Sequence, residues 1–107
     1  MNMEIIKFAK DFKKLDNDNF STIRVHDRYN EGEIYLVKTP TKTFKARLMA
    51  KDYSKLKDIP NRFLMEDTDT TTYYKAMAQL KEFYPDINPS TEVVNLFFTK
   101  KIHQRRC

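Results

Sequence analysis

Apolar and polar positions alternate along several parts of this chain, most clearly over residues 41–53. There Phe44, Ala46 and Leu48 fall on one side, and Lys45 and Arg47 fall on the other. Side chains along a β-strand point to opposite faces in turn, so this pattern predicts a strand with one buried face. Only a short turn separates it from a second predicted strand at 33–39. The two are therefore expected to pair as an antiparallel hairpin.

A third alternating run covers residues 22–26 and has a chemically distinct face. Ile23 and Val25 form its apolar side. The opposite side carries a hydroxyl and cations, namely Thr22, Arg24, His26 and, if the strand continues that far, Arg28. A guanidinium fork suits phosphate or guanine contacts, and a hydroxyl can add a further phosphate bond. This strand is predicted to carry a recognition surface.

Strands are also predicted at 4–8 and 91–99, and a short helix at 9–15, where Phe8, Phe12 and Leu15 have helical spacing. The only glycine, Gly32, precedes the 33–39 strand and is expected to adopt a positive φ. Residues 54–62 read as a connector interrupted by Pro60.

A longer helix is predicted at 71–84, because apolar residues recur there at helical spacing. They are Tyr73, Ala76, Met77, Leu80, Phe83 and Tyr84. Asp69 or Thr70 is the expected N-cap. Glu66, Asp67 and Asp69 are interpreted as an acidic capping loop in preference to acid/base groups, although Asp69 stays a weak catalytic candidate beside Thr22.

At 107 residues, the chain is long enough for one hydrophobic core, so we expect one domain over residues 1–99 followed by a basic tail at 100–107. The single cysteine, Cys107, excludes an intrachain disulfide. His26 and His103 stand apart from other ligand types, so neither a metal nor a cofactor is expected. One glycine excludes both a glycine-rich phosphate loop and a nucleophile elbow.

The charge balance favours polyanionic partners, because 20 Lys and Arg oppose 15 Asp and Glu and give a formal net charge of +5. Lysines and an arginine on neighbouring strands extend the predicted basic surface: Lys38, Lys45, Arg47 and Lys51. No apolar run reaches membrane-spanning length, and Glu4 stands early in the chain. We therefore expect a soluble cytoplasmic protein.

The order of elements, together with several short motifs, resembles the ASCH family of the PUA-like superfamily. The motifs are Phe8 and Phe12 ahead of Ser21-Thr22-Ile23-Arg24, then Glu31-Gly32-Glu33-Ile34-Tyr35, Lys57-Asp58-Ile59-Pro60 with Phe63-Leu64, Leu80-Lys81-Glu82-Phe83-Tyr84-Pro85, and the apolar strand at 93–98. The resemblance covers about residues 4–99. It implies an α+β pseudo-barrel of mostly antiparallel strands, with a cleft beside the first helix that relatives use to bind RNA or modified nucleosides.

A smaller branch of that family hydrolyses acetylated cytidine with a Lys, a Thr and a Glu. In this chain Thr22 matches the threonine, but Asn19 stands at the lysine position and Asp69 is the nearest acid by spacing. Asn cannot act as a nucleophile or an acid, so the departure weakens the catalytic reading.

Three functions remain open from the sequence. The leading prediction is a noncatalytic RNA-binding module whose basic cleft uses the recognition strand and its basic neighbours. The alternatives are a small hydrolase of an acylated nucleoside and an adaptor that binds an acidic protein.

Overall fold

A computed structural model describes residues 3–102, and the fold is α+β, as predicted. The strands are β1 (Ile5–Lys7), β2 (Asn19–Arg24), β3 (Ile34–Lys38), β4 (Thr43–Lys55) and β5 (Glu92–Thr99). The helices are α1 (Asn61–Thr68) and α2 (Tyr73–Phe83), with 3₁₀ turns at Lys13–Asp16 and Leu56–Asp58. His103 and the basic residues that follow it in the predicted tail lie outside the described residues.

The strands form one five-stranded sheet in the order β1-β3-β4-β5-β2. The predicted β3–β4 hairpin is confirmed, with Tyr35 opposite Ala46. β1 pairs with β3 in parallel, and the remaining pairs are antiparallel. A β-bulge interrupts the β4–β5 register between Leu48 and Ala50.

The expected closed pseudo-barrel is wrong, since β1 and β2 remain the two open edges of the described sheet. β1 contributes only three residues, and in the described sheet it pairs with β3 alone. A side chain bridges the gap instead, because Arg24 Nη2 of β2 donates to the carbonyl oxygen of Lys7 at 3.1 Å.

One face of the sheet covers the larger hydrophobic core, into which Tyr35, Leu48 and Phe98 are fully or almost fully buried. Phe8 and Phe12 close this core from the segment after β1. The helix predicted at 9–15 is wrong apart from the 3₁₀ turn. The Phe8 N–H donates to Lys38 O at 2.8 Å and so prolongs the β1 pairing, while Phe12 is also extended, with ψ 141°.

The two α-helices cover a second apolar cluster, which includes Ile23 of β2 and Val93 of β5. α1 was not predicted, and it incorporates most of the supposed acidic capping loop. The N-cap of α2 is Thr72, whose hydroxyl accepts from Lys75 N at 3.1 Å, so the expectation of Asp69 or Thr70 is wrong. Asp69 instead ends α1 in the left-handed conformation, with φ 56°.

Gly32 adopts the expected positive φ, at 88°, and its N–H donates to Leu48 O at 2.7 Å. This bond joins the loop before β3 to β4. Among the described residues, neither α-helix has the length and apolar character needed to cross a membrane.

Candidate binding cleft

A cleft of about 420 Å³ opens between residues 7–14, the end of β2 and the two helices. Its apolar walls comprise Phe8, Phe12, Leu80, Phe83 and Tyr84. Polar groups from three different elements converge inside it: Lys14, Thr22, Arg24, Asp67 and Thr68. A concave, mainly apolar site with a few convergent polar groups is the usual form of a small-ligand site.

A buried ion pair lies in the cleft wall. Lys14 Nζ donates to Asp67 Oδ1 at 2.6 Å, and the two side chains are only 10% and 7% exposed. Removing two charges from water is costly, and the attraction between them offsets that cost only in part. A pair of this kind contributes specificity or chemistry more readily than net stability.

Burial perturbs both members of this pair in opposite directions. Burial lowers the pKa of Lys14 below its ordinary value, while the carboxylate of Asp67 opposes the shift. Burial likewise raises the pKa of Asp67, against the attraction of Lys14 and a hydrogen bond from the backbone of Ile23. Titratable groups with perturbed pKa values in a cleft are typical of functional sites.

Arg24 occupies the cleft mouth and makes three interactions with the protein. Its guanidinium lies 4.9 Å from the centre of the Phe8 ring, and its Nε donates to Thr22 Oγ1 at 3.3 Å. Its Nη2 donates to Lys7 O at 3.1 Å. A guanidinium has about five N–H donors, so these two hydrogen bonds leave roughly three for a ligand.

Thr22 is buried, at 4% exposed, on the same face of β2 as Arg24. Its oxygen accepts from Arg24, so its own proton is available for a ligand acceptor. Asp69, the other weak catalytic candidate, is not among the residues that line the cleft, and its Oδ2 accepts from Lys13 N at 3.3 Å. The predicted pair Thr22 and Arg24 is therefore brought together in a cleft.

Three other cations of the predicted basic surface, His26, Arg28 and Lys51, lie outside this cleft. β2 ends at Arg24, so His26 and Arg28 lie in the following loop, where the Arg28 guanidinium is 5.8 Å from the Tyr29 ring centre. Lys51 is held by other groups, since its Nζ bonds Tyr29 O at 2.7 Å and Asp27 Oδ1 at 3.0 Å.

Lys38, Lys45 and Arg47 lie on the sheet face opposite the larger core, away from the cleft lining. Lys38 and Lys45 are exposed. Arg47 donates to Gly32 O at 2.6 Å. The single basic surface predicted from the sequence is thus divided between a cleft and an open sheet face.

Sequence reasoning missed Lys14 and Asp67, the most buried charges of the cleft. Leu64, Asp67 and Thr68 are the buried residues of α1, at the i, i+3, i+4 spacing of one helix face. A carboxylate on an apolar helix stripe signals a buried partner, but this signal becomes visible only when 61–68 is assigned as a helix. Lys14 lies in the short 3₁₀ turn that follows Phe12 and offers no periodic signal.

A second cleft, of about 440 Å³, lies on the far side of the same ion pair, between α1 and the β2–β5–β4 part of the sheet. Asn19, which stands at the lysine position of the hydrolytic relatives, lines this second cleft and not the first. Lys14 lines both.

Within residues 3–102, no group of three or more His, Cys, Asp or Glu residues is placed to hold a metal ion. Comparison with protein-family models, with curated proteins and with solved structures finds no match to this chain.

Proposed function

We propose that this protein binds RNA by taking one nucleoside unit into the cleft beside Lys14 and Arg24. The observation that carries the proposal is the convergence of two cations and a hydroxyl with aromatic walls in one cavity. Aromatic rings stack on bases, and an arginine fork recognises phosphate or a base edge.

The charge of the cleft supports an anionic ligand. Lys7, Lys14 and Arg24 line it, against Asp67 alone. Since Asp67 forms a salt bridge with Lys14, no other acidic side chain of the lining compensates the charges of Lys7 and Arg24. A relationship to the ASCH family, in an open-sheet form, belongs to the same proposal and rests on the motif residues Thr22 and Arg24 at the cleft.

Binding of a short oligouridylate, titrated at about 50 to 200 mM salt, tests this function. We expect Arg24→Gln to weaken binding about tenfold and to reduce the salt slope by about one. Lys57→Gln removes the same charge from an exposed 3₁₀ turn outside the cleft and is the matched control. We expect it to leave the affinity close to that of the native protein.

Arg24 also bridges two strands, so thermal unfolding must show that Arg24→Gln is folded.

Phe83→Ala gives a second test, because Phe83 is 37% exposed and lines the cleft without closing the core. Loss of a stacking ring is worth about 1–3 kcal/mol per base. No binding at low salt, or equal effects of the Arg24 and Lys57 substitutions, would contradict the proposal.

A second candidate function, hydrolysis of an acylated nucleoside, is favoured by the buried Lys14–Asp67 pair near Thr22. The lowered pKa makes the neutral form of Lys14 more accessible, and in that form its amine can accept a proton from water. The water oxygen attacks the acyl carbon, and the C–N bond of the resulting tetrahedral intermediate then breaks. The proton returns to the departing amine. Chromatography of acylated nucleosides after incubation tests this reaction. Turnover by the native protein and its loss in Lys14→Met are expected, and a complete absence of turnover would exclude it.

A further inference from the structure

Within residues 3–102, half of one sheet face carries no helix. α1 and α2 pack over β2 and β5 on the side of Ile23 and Val93. On the same side of the sheet, β1, β3 and the first part of β4 remain uncovered, and Ile5 there is 42% exposed. We call this surface the basic sheet face, and it consists of Lys38, Lys45 and Arg47 around Ile5, Ile34 and Leu36.

The strand register groups these side chains. Leu36 lies between Ile5 and Lys45 on the neighbouring strands, and Ile34 pairs with Arg47. Partners in register project from the same side of a sheet, so the aliphatic groups adjoin the cations directly. The surface therefore combines apolar contact area with a positive border.

No acidic side chain in the described part of the chain forms an ion pair with the three cations of this face. Neighbouring acids fall on the other side of the strands by alternation, and Glu33 Oε2 accepts from the hydroxyl of Tyr35 at 3.3 Å. A partner with negative charge would thus meet cations that have no competing anion.

Positive charge alone would fit either RNA or an acidic protein, but the apolar groups of this face distinguish between these two partners. Its apolar residues are all aliphatic, whereas single-stranded nucleic acid binds sheet surfaces chiefly by stacking bases on aromatic rings. Aliphatic side chains bordered by cations complement an acidic protein segment with apolar anchors. The chain's own last residues include Arg105 and Arg106, which have the same sign as the face.

We propose that the basic sheet face is a docking surface for an acidic amphipathic segment of a partner protein. The partner's Asp or Glu side chains pair with Lys38, Lys45 and Arg47, and its apolar residues cover Ile5 and Leu36. This interaction is separate from ligand binding in the cleft.

Amide chemical shifts of the ¹⁵N-labelled full chain, titrated with a synthetic helical peptide of Glu and Leu, test the proposal. The peptide presents Leu on one face and Glu on the other, and a scrambled peptide of the same composition is the ligand control. We expect shifts confined to β1, β3 and the first half of β4. Lys38→Gln/Lys45→Gln should weaken binding about tenfold or more, since each removed ion pair contributes roughly threefold to tenfold at a partly desolvated contact.

Lys57→Gln/Lys75→Gln removes two exposed lysines elsewhere and is the matched protein control. Equal binding of the scrambled peptide, or equal weakening by the control pair, would overturn the proposal. If an oligouridylate shifts these same amides and the peptide does not, the face binds nucleic acid and the proposal is wrong. If sedimentation shows concentration-dependent dimerisation through this face, its partner is a second copy of the chain and the proposal is also wrong. Lys38 and Lys45 lie outside the cleft, so loss of RNA binding and loss of peptide binding are separable results.

Discussion

At the scale of single residues, the Lys14–Asp67 pair distinguishes this cleft from an ordinary surface depression. Its charges come from segments 53 positions apart in the chain and meet at 2.6 Å. Burial opposes ionisation of both groups, so the fold retains a pair that a purely structural core would replace with apolar side chains. We infer that ligand binding accounts for the pair.

A double-mutant cycle tests the energetic cost of this pair. Lys14→Met and Asp67→Leu each leave one buried charge without its partner, so each is expected to lower the free energy of unfolding by about 3–5 kcal/mol. The double variant places two apolar side chains together and should recover most of that loss. Urea denaturation measures all four proteins. Simple addition of the two losses would show that the side chains are not coupled.

The pH dependence of stability should have opposite signs at two aspartates. Burial raises the pKa of Asp67, so the folded state binds a proton at this carboxyl more tightly than the unfolded state does. The contribution of Asp67 to stability is therefore lost as the pH rises above 3.8. Hydrogen bonds from Tyr53 and Lys51 lower the pKa of Asp27, so Asp27 stabilises the fold above 3.8, and that contribution is lost as the pH falls through its folded pKa.

Urea denaturation of Asp67→Asn and Asp27→Asn across acidic and neutral pH measures both effects. As the pH rises, the free energy of unfolding of Asp67→Asn should increase relative to that of the native protein. The free energy of unfolding of Asp27→Asn should decrease relative to it. A common sign for the two differences would contradict the burial assigned to Asp67.

At the scale of elements, the start of α2 can be tested with adjacent threonines. Thr72 accepts from Lys75 N at 3.1 Å, whereas Thr71 is exposed and precedes the cap. Thr72→Ala should lower the free energy of unfolding by about 0.5–2 kcal/mol, because an N–H of the first turn loses its acceptor. Thr71→Ala should leave it nearly unchanged. Thermal unfolding compares the two, and equal losses would contradict the cap assignment.

The sequence predicted the strands well, because alternation is a local pattern. The β3–β4 hairpin, the positive φ of Gly32 and the helix ending before Pro85 all follow from neighbouring residues. α1 was missed because its short apolar face includes Asp67, which reads as a surface residue when its partner is unknown. The helix expected at 9–15 failed because Phe8 and Phe12 serve the sheet core, a tertiary constraint that overrides helical spacing.

The candidate site was only half predictable for the same reason. Thr22 and Arg24 belong to one strand, so their shared face could be deduced from alternation. Lys14 and Asp67 meet only through the folded chain. The larger basic surface was overestimated, because alternation does not reveal that β2 ends at Arg24 or that Lys51 contacts Asp27.

At the scale of the whole molecule, the open sheet separates two surfaces of different chemistry. The cleft lies where Arg24 bridges the unpaired edges β1 and β2, and it combines rings with cations. The basic sheet face offers aliphatic groups and cations without rings. A net charge of +5 favours anionic partners in general, and the two proposals assign an anionic ligand of different chemistry to each surface.

The central proposal is that the cleft between β2 and the two helices binds a nucleoside unit. The direct measurement is an amide chemical-shift titration of the ¹⁵N-labelled protein with uridine monophosphate, in the native chain and in Arg24→Gln. We expect saturable shifts at Phe8, Lys14, Thr22 and Asp67, and their loss in the variant. Shifts confined to β3 and β4, or shifts that Arg24→Gln leaves unchanged, would contradict it.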